Sequence, residues 1–233
     1  MKRISLSLFP ILFLFLGCSQ QVIEPTLAAP ASEPTPIVYP ENATVFVVDR
    51  TDSGARYRIT ETFFEEVSKE AQNIEPGTIQ AIGNAPSLEG TIVLDLESDP
   101  PRVLGGEFVV DLFLMRTDQP RRDERLRSQW LQVYTYPTAS FVLEEQDILS
   151  SAYEPGTEAT FSLTGQMTIR NVTLPLTFET TAVLDPSLQT ITATANAPAL
   201  ISDFGIEPPS LAKIVEVEDA FEIGAIIVAR ATE

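Results

Sequence analysis

The stretch Glu158-Ala159-Thr160-Phe161-Ser162-Leu163-Thr164-Gly165-Gln166-Met167-Thr168-Ile169-Arg170 alternates without a break. Ala, Phe, Leu, Gly, Met and Ile occupy one parity, and Glu, Thr, Ser, Gln and Arg the other. Successive side chains of a strand point to opposite faces, so the segment reads as one β-strand with an apolar face and a wet face. It is about twice the usual strand length of five or six residues. Strands of this length in a chain rich in Thr and Val point to a tall antiparallel barrel, and the small Ala159 and Gly165 on the apolar side point to a lumen with spare room. The same alternation also fits a filled sandwich.

Outward from this strand, similar segments recur at Thr78 to Ile82, Leu88 to Leu96, Glu107 to Leu114, Ala139 to Glu144, Leu174 to Leu184, Gln189 to Ala197 and Ala220 to Ala231. Val45 to Val48 and Ala55 to Thr62, separated by Asp52-Ser53-Gly54, read as a hairpin. Asp185-Pro186-Ser187 and Asn171 mark tight reversals, Asn171 as a residue that tolerates positive φ. Phe63, Phe64, Val67 and Ala71 recur at helical spacing. The convincing helix is Arg121 to Val133, polar from Arg121 to Gln129 except for Leu126 and apolar again at Trp130 and Leu131, with Pro120 at or just before its first turn. This narrow apolar stripe predicts a short helix across a barrel end or flank, Leu126 and Trp130 turned inward; a mobile lid is the alternative. The fold class expected is all-β: an eight-stranded antiparallel barrel with one short helix.

The amino-terminal part has a different character. Lys2 and Arg3 precede an apolar run, Ile4 to Leu16, and Gly17 precedes Cys18, the chain's only cysteine. This is the pattern of a signal peptide over 1–17, too short to span a bilayer comfortably. Leu16-Gly17-Cys18 resembles a bacterial lipobox, with Cys18 as the acylated anchor residue; an ordinary signal cut near Ala28 or Ala29 is the rival. Residues 18–42 contain five prolines (Pro25, Pro30, Pro34, Pro36, Pro40) and no Lys or Arg, the composition of an extended tether. The folded domain is expected over 43–233.

With no cysteine after Cys18, that domain must rest on a hydrophobic core rather than on disulfides. Loss of Lys2 and Arg3 with the signal leaves 13 basic residues against 33 acidic ones, a formal charge of −20. Such a surface repels phosphate backbones and anionic headgroups, so nucleic acid is a poor partner and membrane attachment falls to acyl chains.

No histidine is present. This removes the commonest general base, nucleophile activator and metal ligand. No nucleophile elbow, phosphate-cradling glycine loop or dinucleotide fingerprint occurs either. Asp95, Glu97 and Asp99 share one strand parity, yet no glycine-bent calcium loop accompanies them. Carboxylate acid–base chemistry stays open as a minor alternative. The reading is non-catalytic, with no metal and no resident cofactor.

Three pieces in register carry a resemblance: Arg122-Asp123 with Leu126, Ser128, Tyr136-Pro137 and Phe141; Leu163-Thr164-Gly165 through Met167-Thr168-Ile169-Arg170, Val172-Thr173 and Pro175; and Asp203-Phe204-Gly205-Ile206. Together they resemble the YceI-like family over about residues 44–231. There are two departures from its pattern: Ile201-Ser202 stand where an Arg is common, and Asn171 replaces a Gly. The resemblance implies a lipocalin-like barrel in a periplasmic or secreted protein that holds a polyisoprenoid, free or as a quinone tail. An isoprene unit offers apolar area and no hydrogen bonds, so a dry tube suffices, at about 0.8 kcal/mol gross per buried carbon. Phe108, Val110, Phe141, Phe161, Leu163, Met167, Leu176 and Phe178 are expected to line it, each equally readable as ordinary core. Arg122 and Asp123 either orient a headgroup or brace the helix against the barrel end. The leading functional reading is an exported lipoprotein that carries an apolar isoprenoid-like lipid. The alternative is a filled barrel acting as an acidic protein-interaction module of the cell envelope.

Overall fold

The computed structural model describes residues 39–65, 75–144, 146–147, 154–185, 187, 189–211 and 214–232. The expected signal segment, Cys18, most of the tether and the helical spacing beyond Glu65 fall outside these residues. The strands are β1 Thr44–Val48, β2 Gly54–Phe63, β3 Gly77–Ala85, β4 Leu88–Asp95, β5 Arg102–Asp111, β6 Thr138–Leu143, β7 Gln146–Asp147, β8 Glu158–Ile169, β9 Val172–Asp185, β10 Thr190–Leu200, β11 Ser210–Leu211 and β12 Val215–Ala231.

Their register resolves them into eight staves. β1 and β2 lie end to end along one edge of β12, with Val48 opposite Ala229 and Gly54 opposite Ile226. β3 and β4 lie end to end along the other side of that pair, Ala85 opposite Ala55 and Thr91 opposite Val47. From β4 the ladder runs through β5, β6, β8, β9 and β10 back to β12, each neighbour antiparallel, and the β1–β12 contact closes the ring. The result is the expected closed eight-stranded up-and-down barrel; closure leaves these staves no open edge over their shared length. β7 and β11 are two-residue additions to β5 and β12.

The strand lengths follow from the alternation. β8 keeps its apolar parity through Met167 and Ile169, both buried, and β9 opposes it residue for residue from Ile169↔Val172 to Glu158↔Val183. On the wet face, Thr160 meets Thr181, Thr164 meets Thr177 and Thr168 meets Thr173, hydroxyl to hydroxyl at 2.9–3.1 Å. Such cross-strand pairs fix register as well as stabilise it.

Three local expectations are corrected. The segment around Asp52-Ser53-Gly54 is not a hairpin turn but a bulge within one stave. Both flanking strands pair with β12, and the Ser53 hydroxyl accepts from the Val228 amide at 2.9 Å and faces its carbonyl at 3.2 Å, taking the place of a ladder partner. The β8–β9 reversal puts the positive φ (57°) on Arg170 rather than on Asn171. The strand expected to reach Leu114 ends at Asp111, whose carboxylate accepts from the Phe113 amide at 2.8 Å and caps a 3₁₀ turn over Leu112–Leu114.

The one α-helix among the described residues, α1 Pro120–Arg125, begins on Pro120 as expected and continues as a π turn over Leu126–Trp130, closed by Leu131 N–H to Leu126 C=O at 2.8 Å. Asp123 accepts from both the amide (2.8 Å) and the hydroxyl (2.7 Å) of Thr117, fixing the approach to the helix. The buried core runs from Phe46 and Val103 to Ala197 and Ala229.

Candidate functional site

The barrel is hollow. An upper chamber of about 130 Å³ and a lower one of about 150 Å³ share Ala55, Val110, Ala139, Met167 and Ile223, so they abut along the barrel axis. The rival picture of a filled interior is therefore not met. Every stave contributes to the upper chamber, from Leu88 and Ile92 on β4 to Ile223, Ala225 and Ile227 on β12. The lower chamber is lined at the helix end by Leu126, Trp130 and Leu131 together with Leu112, Met115, Ile201, Phe204 and Ile206.

The cavity has a cause in the register. Ala55, Ala225, Ala195 and Thr180 face inward as one row of partners across four staves, and Ala193, Ala182 and Ala159 form part of the next. Larger side chains stand elsewhere around the chamber, among them Phe108, Phe141 and Leu143, and Phe141 meets Phe178 edge to face at 4.9 Å between centroids. Small residues on one side and large ones on another leave a gap that neither can fill.

Of the residues expected to line the lumen, Phe108, Val110, Phe141, Phe161, Leu163, Met167 and Phe178 stand on the upper chamber. Leu176 does not reach either chamber; it is half-buried and packs against the core cluster. Gly165 makes no lumen space either. A Cβ there would lie 2.3 Å from the Val142 carbonyl oxygen and 2.7 Å from the Phe141 ring, so the glycine admits the neighbouring strand and ring. Val110 and Met167 also face the lower chamber, where Leu126, Trp130 and Phe204 lie.

Arg122 and Asp123 are both buried. Arg122 Nε and Nη2 donate to the two carboxylate oxygens of Glu61 at 2.8 and 2.6 Å, and Nη1 donates to Asp118. Burial alone would lower the guanidinium's pKa, but Glu61 and then Asp118 reverse that and raise it above its ordinary value. A bidentate pair of this geometry ties α1 to the inner face of β2. Asp203 is exposed, Phe204 is 2% exposed and set edge to face against Phe221, and Gly205 takes φ 67° to end the turn, its carbonyl accepting from Arg170 at 3.2 Å.

The sequence reading passed over the inner face of β2: Ala55, Tyr57, Ile59 and Glu61, all on chamber walls. Their period-two alternation against Arg56, Arg58, Thr60 and Thr62 was the available signal. Tyr57 lies over Gly83, where a Cβ would sit 2.1 Å from its ring, and its pKa is raised chiefly by burial. Asp95, one of the three carboxylates that share a strand parity, accepts from the Glu97 and Ser98 amides at 2.9 and 3.3 Å, while Glu97 takes a hydrogen bond from Asn42 at 2.9 Å.

The backbone resembles two solved structures. One is a polyisoprenoid-binding domain from Saccharophagus degradans implicated in plant cell wall breakdown (TM-score 0.60, 13% identity, covering 80% of this chain and 98% of that one). The other is BcnA from Burkholderia cenocepacia (TM-score 0.54, 17% identity, 78% and 98%). Among curated proteins none matches. The family model of the YceI-like domain matches residues 46–229, nearly the whole barrel, and the chain belongs to the YceI-like family.

Proposed function

We propose that this protein is an exported, membrane-tethered carrier that holds an isoprenoid-like lipid in its barrel without transforming it. The observation that carries the reading is the apolar lumen to which all eight staves contribute. Apart from Ser140 and Thr180, the non-glycine residues on the upper chamber are hydrocarbon, aromatic or thioether. An apolar void of about 150 Å³ is large enough to stay dry and take up a benzene-sized molecule. Two such chambers in line suit on the order of a dozen carbons, about two isoprene units, without rearrangement. The related fold of the polyisoprenoid-binding domain from Saccharophagus degradans supports the same ligand class.

Anchoring is assigned to Cys18, with residues 18–42 as the tether between lipid and barrel. A single acyl chain binds a membrane marginally and two or more hold it stably. In cells, Cys18→Ala is expected to move the protein from the membrane to the soluble fraction; unchanged fractionation would return the amino terminus to an ordinary cleaved signal.

The carrier reading is tested by extracting the purified protein with organic solvent and identifying lipids by mass spectrometry, followed by uptake of polyprenyl compounds by the stripped protein. A stoichiometric isoprenoid, or saturable uptake of one, is expected. Neither being found would overturn the reading.

A further inference from the structure

We infer that the helix end of the barrel docks on a phospholipid bilayer: Phe113, Leu114 and Tyr134 enter the acyl boundary while Arg121 and Arg125 meet headgroup phosphates. The inference rests on the carrier reading for its purpose, since a carried lipid must be drawn from a bilayer, whereas the contact itself is argued from the surface and tested without cargo.

Ten large hydrophobic side chains are exposed among the described residues, and six of them, Phe64, Ile79, Phe113, Leu114, Tyr134 and Leu200, stand at strand ends or in loops of the helix end. Isolated exposed apolar residues are ordinary, but a cluster at one end marks a contact surface. Tyr134 is 74% exposed and its ring meets Phe113 edge to face at 5.4 Å, so the loop after β5 and the loop before β6 present one aromatic pair. The 3₁₀ turn over Leu112–Leu114 serves both sides of the rim. Leu112 and the following Met115 line the lower chamber, while Phe113 and Leu114 between them are exposed. A hydrocarbon chain leaving the lumen here passes from one apolar lining to the next, and a bilayer at this rim spares it water.

The polar residues of this end suit a lipid interface. Arg122, Asp123 and Leu126 take the buried side of α1, which leaves Arg121 and Arg125, one turn apart, on the exposed side. Neither has an ion-pair or hydrogen-bond partner among the described residues. Arg116 spends its guanidinium on the carbonyls of Phe113 and Met115, at 2.6 and 2.8 Å, with no carboxylate against it. Arginine stems lie along apolar surface while their charge stays at phosphate level, and tyrosine favours the same boundary. The chain's net negative charge is screened beyond roughly 8 Å at physiological salt, so the groups at the contact decide.

The proposed tether joins the barrel at its other end, where Asn42 donates to Glu97 just past β4. From Cys18 to Tyr39 is 21 residues (39 minus 18), a reach of up to roughly 70 Å. The 17 residues of β12, the longest strand, rise roughly 55 Å. The anchor therefore leaves the helix end free to reach the membrane that holds it.

The purified full-length protein is reconstituted into phosphatidylcholine vesicles with a nitrobenzoxadiazole label on Gln129→Cys, an exposed position of the π turn, or on Glu154→Cys, exposed at the opposite end. Cys18 is acylated or removed with the signal in either reading of the amino terminus, so the introduced thiol takes the label. Without any isoprenoid, quenching by doxyl-labelled lipid is expected to be at least about threefold greater at 129 than at 154. Leu114→Ser with Tyr134→Ser removes apolar contacts worth at least about tenfold in the docking equilibrium and is expected to bring the label at 129 down to the level at 154. Arg121→Glu with Arg125→Glu is expected to lower it as well. If the Leu114–Tyr134 variant does not fold, the comparison of 129 with 154 on otherwise unaltered protein decides alone. Equal quenching at the two positions would overturn the inference, as would quenching at 129 that neither pair of substitutions changes. Shielding of 129 by self-association without vesicles would assign the rim to a second copy and overturn it too. Docking without isoprenoid uptake would overturn the carrier reading alone, and uptake without docking the inference alone.

Discussion

At the level of single residues, the Glu61–Arg122 pair is the sharpest case of a polar group inside an apolar wall. Both side chains are about nineteen-twentieths buried, at 5% and 6% exposure. Removing one member leaves the other charge buried without its partner, which costs about 3–5 kcal/mol, whereas replacing both by apolar residues of similar volume costs far less. Arg122→Met and Glu61→Leu are therefore each expected to lower the denaturant midpoint sharply, and the double variant to recover much of the loss. Additive losses in this cycle would mean that the pair is not coupled. Arg122 was legible in the sequence as a brace or a headgroup contact because it sits in a motif beside Asp123. Glu61 was not, since a carboxylate on the inward parity of a strand looks like a solvated position until its partner, sixty-one residues away, is known.

At the level of elements, the Ser202–Phe204 turn shows how one carboxylate seats part of the lumen floor. Asp219 on β12 accepts from the Ser202 hydroxyl at 2.6 Å and amide at 2.8 Å, and these bonds hold its pKa below the usual 3.8. A depressed carboxyl stabilises the fold above its unfolded pKa and loses that contribution as pH falls through the folded value. The stability gap between the native protein and Asp219→Ala is thus expected to stay constant from about pH 7 to pH 5 and to shrink below about pH 4. A gap that does not vary with pH would remove the carboxylate from the account. Gly165 gives a second element-scale expectation. Because its Cβ would press on the backbone of β6, Gly165→Ala is expected to destabilise by about 1–3 kcal/mol through strain between β6 and β8, measured by chemical unfolding. Strand positions were largely legible because alternation writes them directly into β8, β9, β10 and β12. What was not legible was end-to-end continuity. β1 and β2 are separated by turn residues, and only the length of β12, seventeen residues pairing with both, makes them one stave.

For the molecule as a whole, the question is whether the cavity is a defect tolerated by the fold or the reason for it. Unfilled volume in a protein interior forfeits contacts on every surrounding side chain, so a barrel without a ligand would gain by replacing its inward alanines with larger residues. Ala195 sits between Ala225 and Thr180 in the row that makes the upper chamber, and it is buried. Ala195→Leu adds three carbons to that space, a gain on the order of 2 kcal/mol where they fit. The expected outcome is a divergence: the lipid-free variant unfolds at an equal or higher denaturant concentration, while its uptake of an isoprenoid probe falls at least about tenfold for an occupied site. The lipid-loaded native protein should also exceed the lipid-free one in thermal stability by an amount that grows with free ligand, and the variant should show little of this gain. Stability and binding moving in opposite directions would mark the void as space kept for a ligand. A variant that gains stability and binds as before would place the lipid elsewhere than the upper chamber.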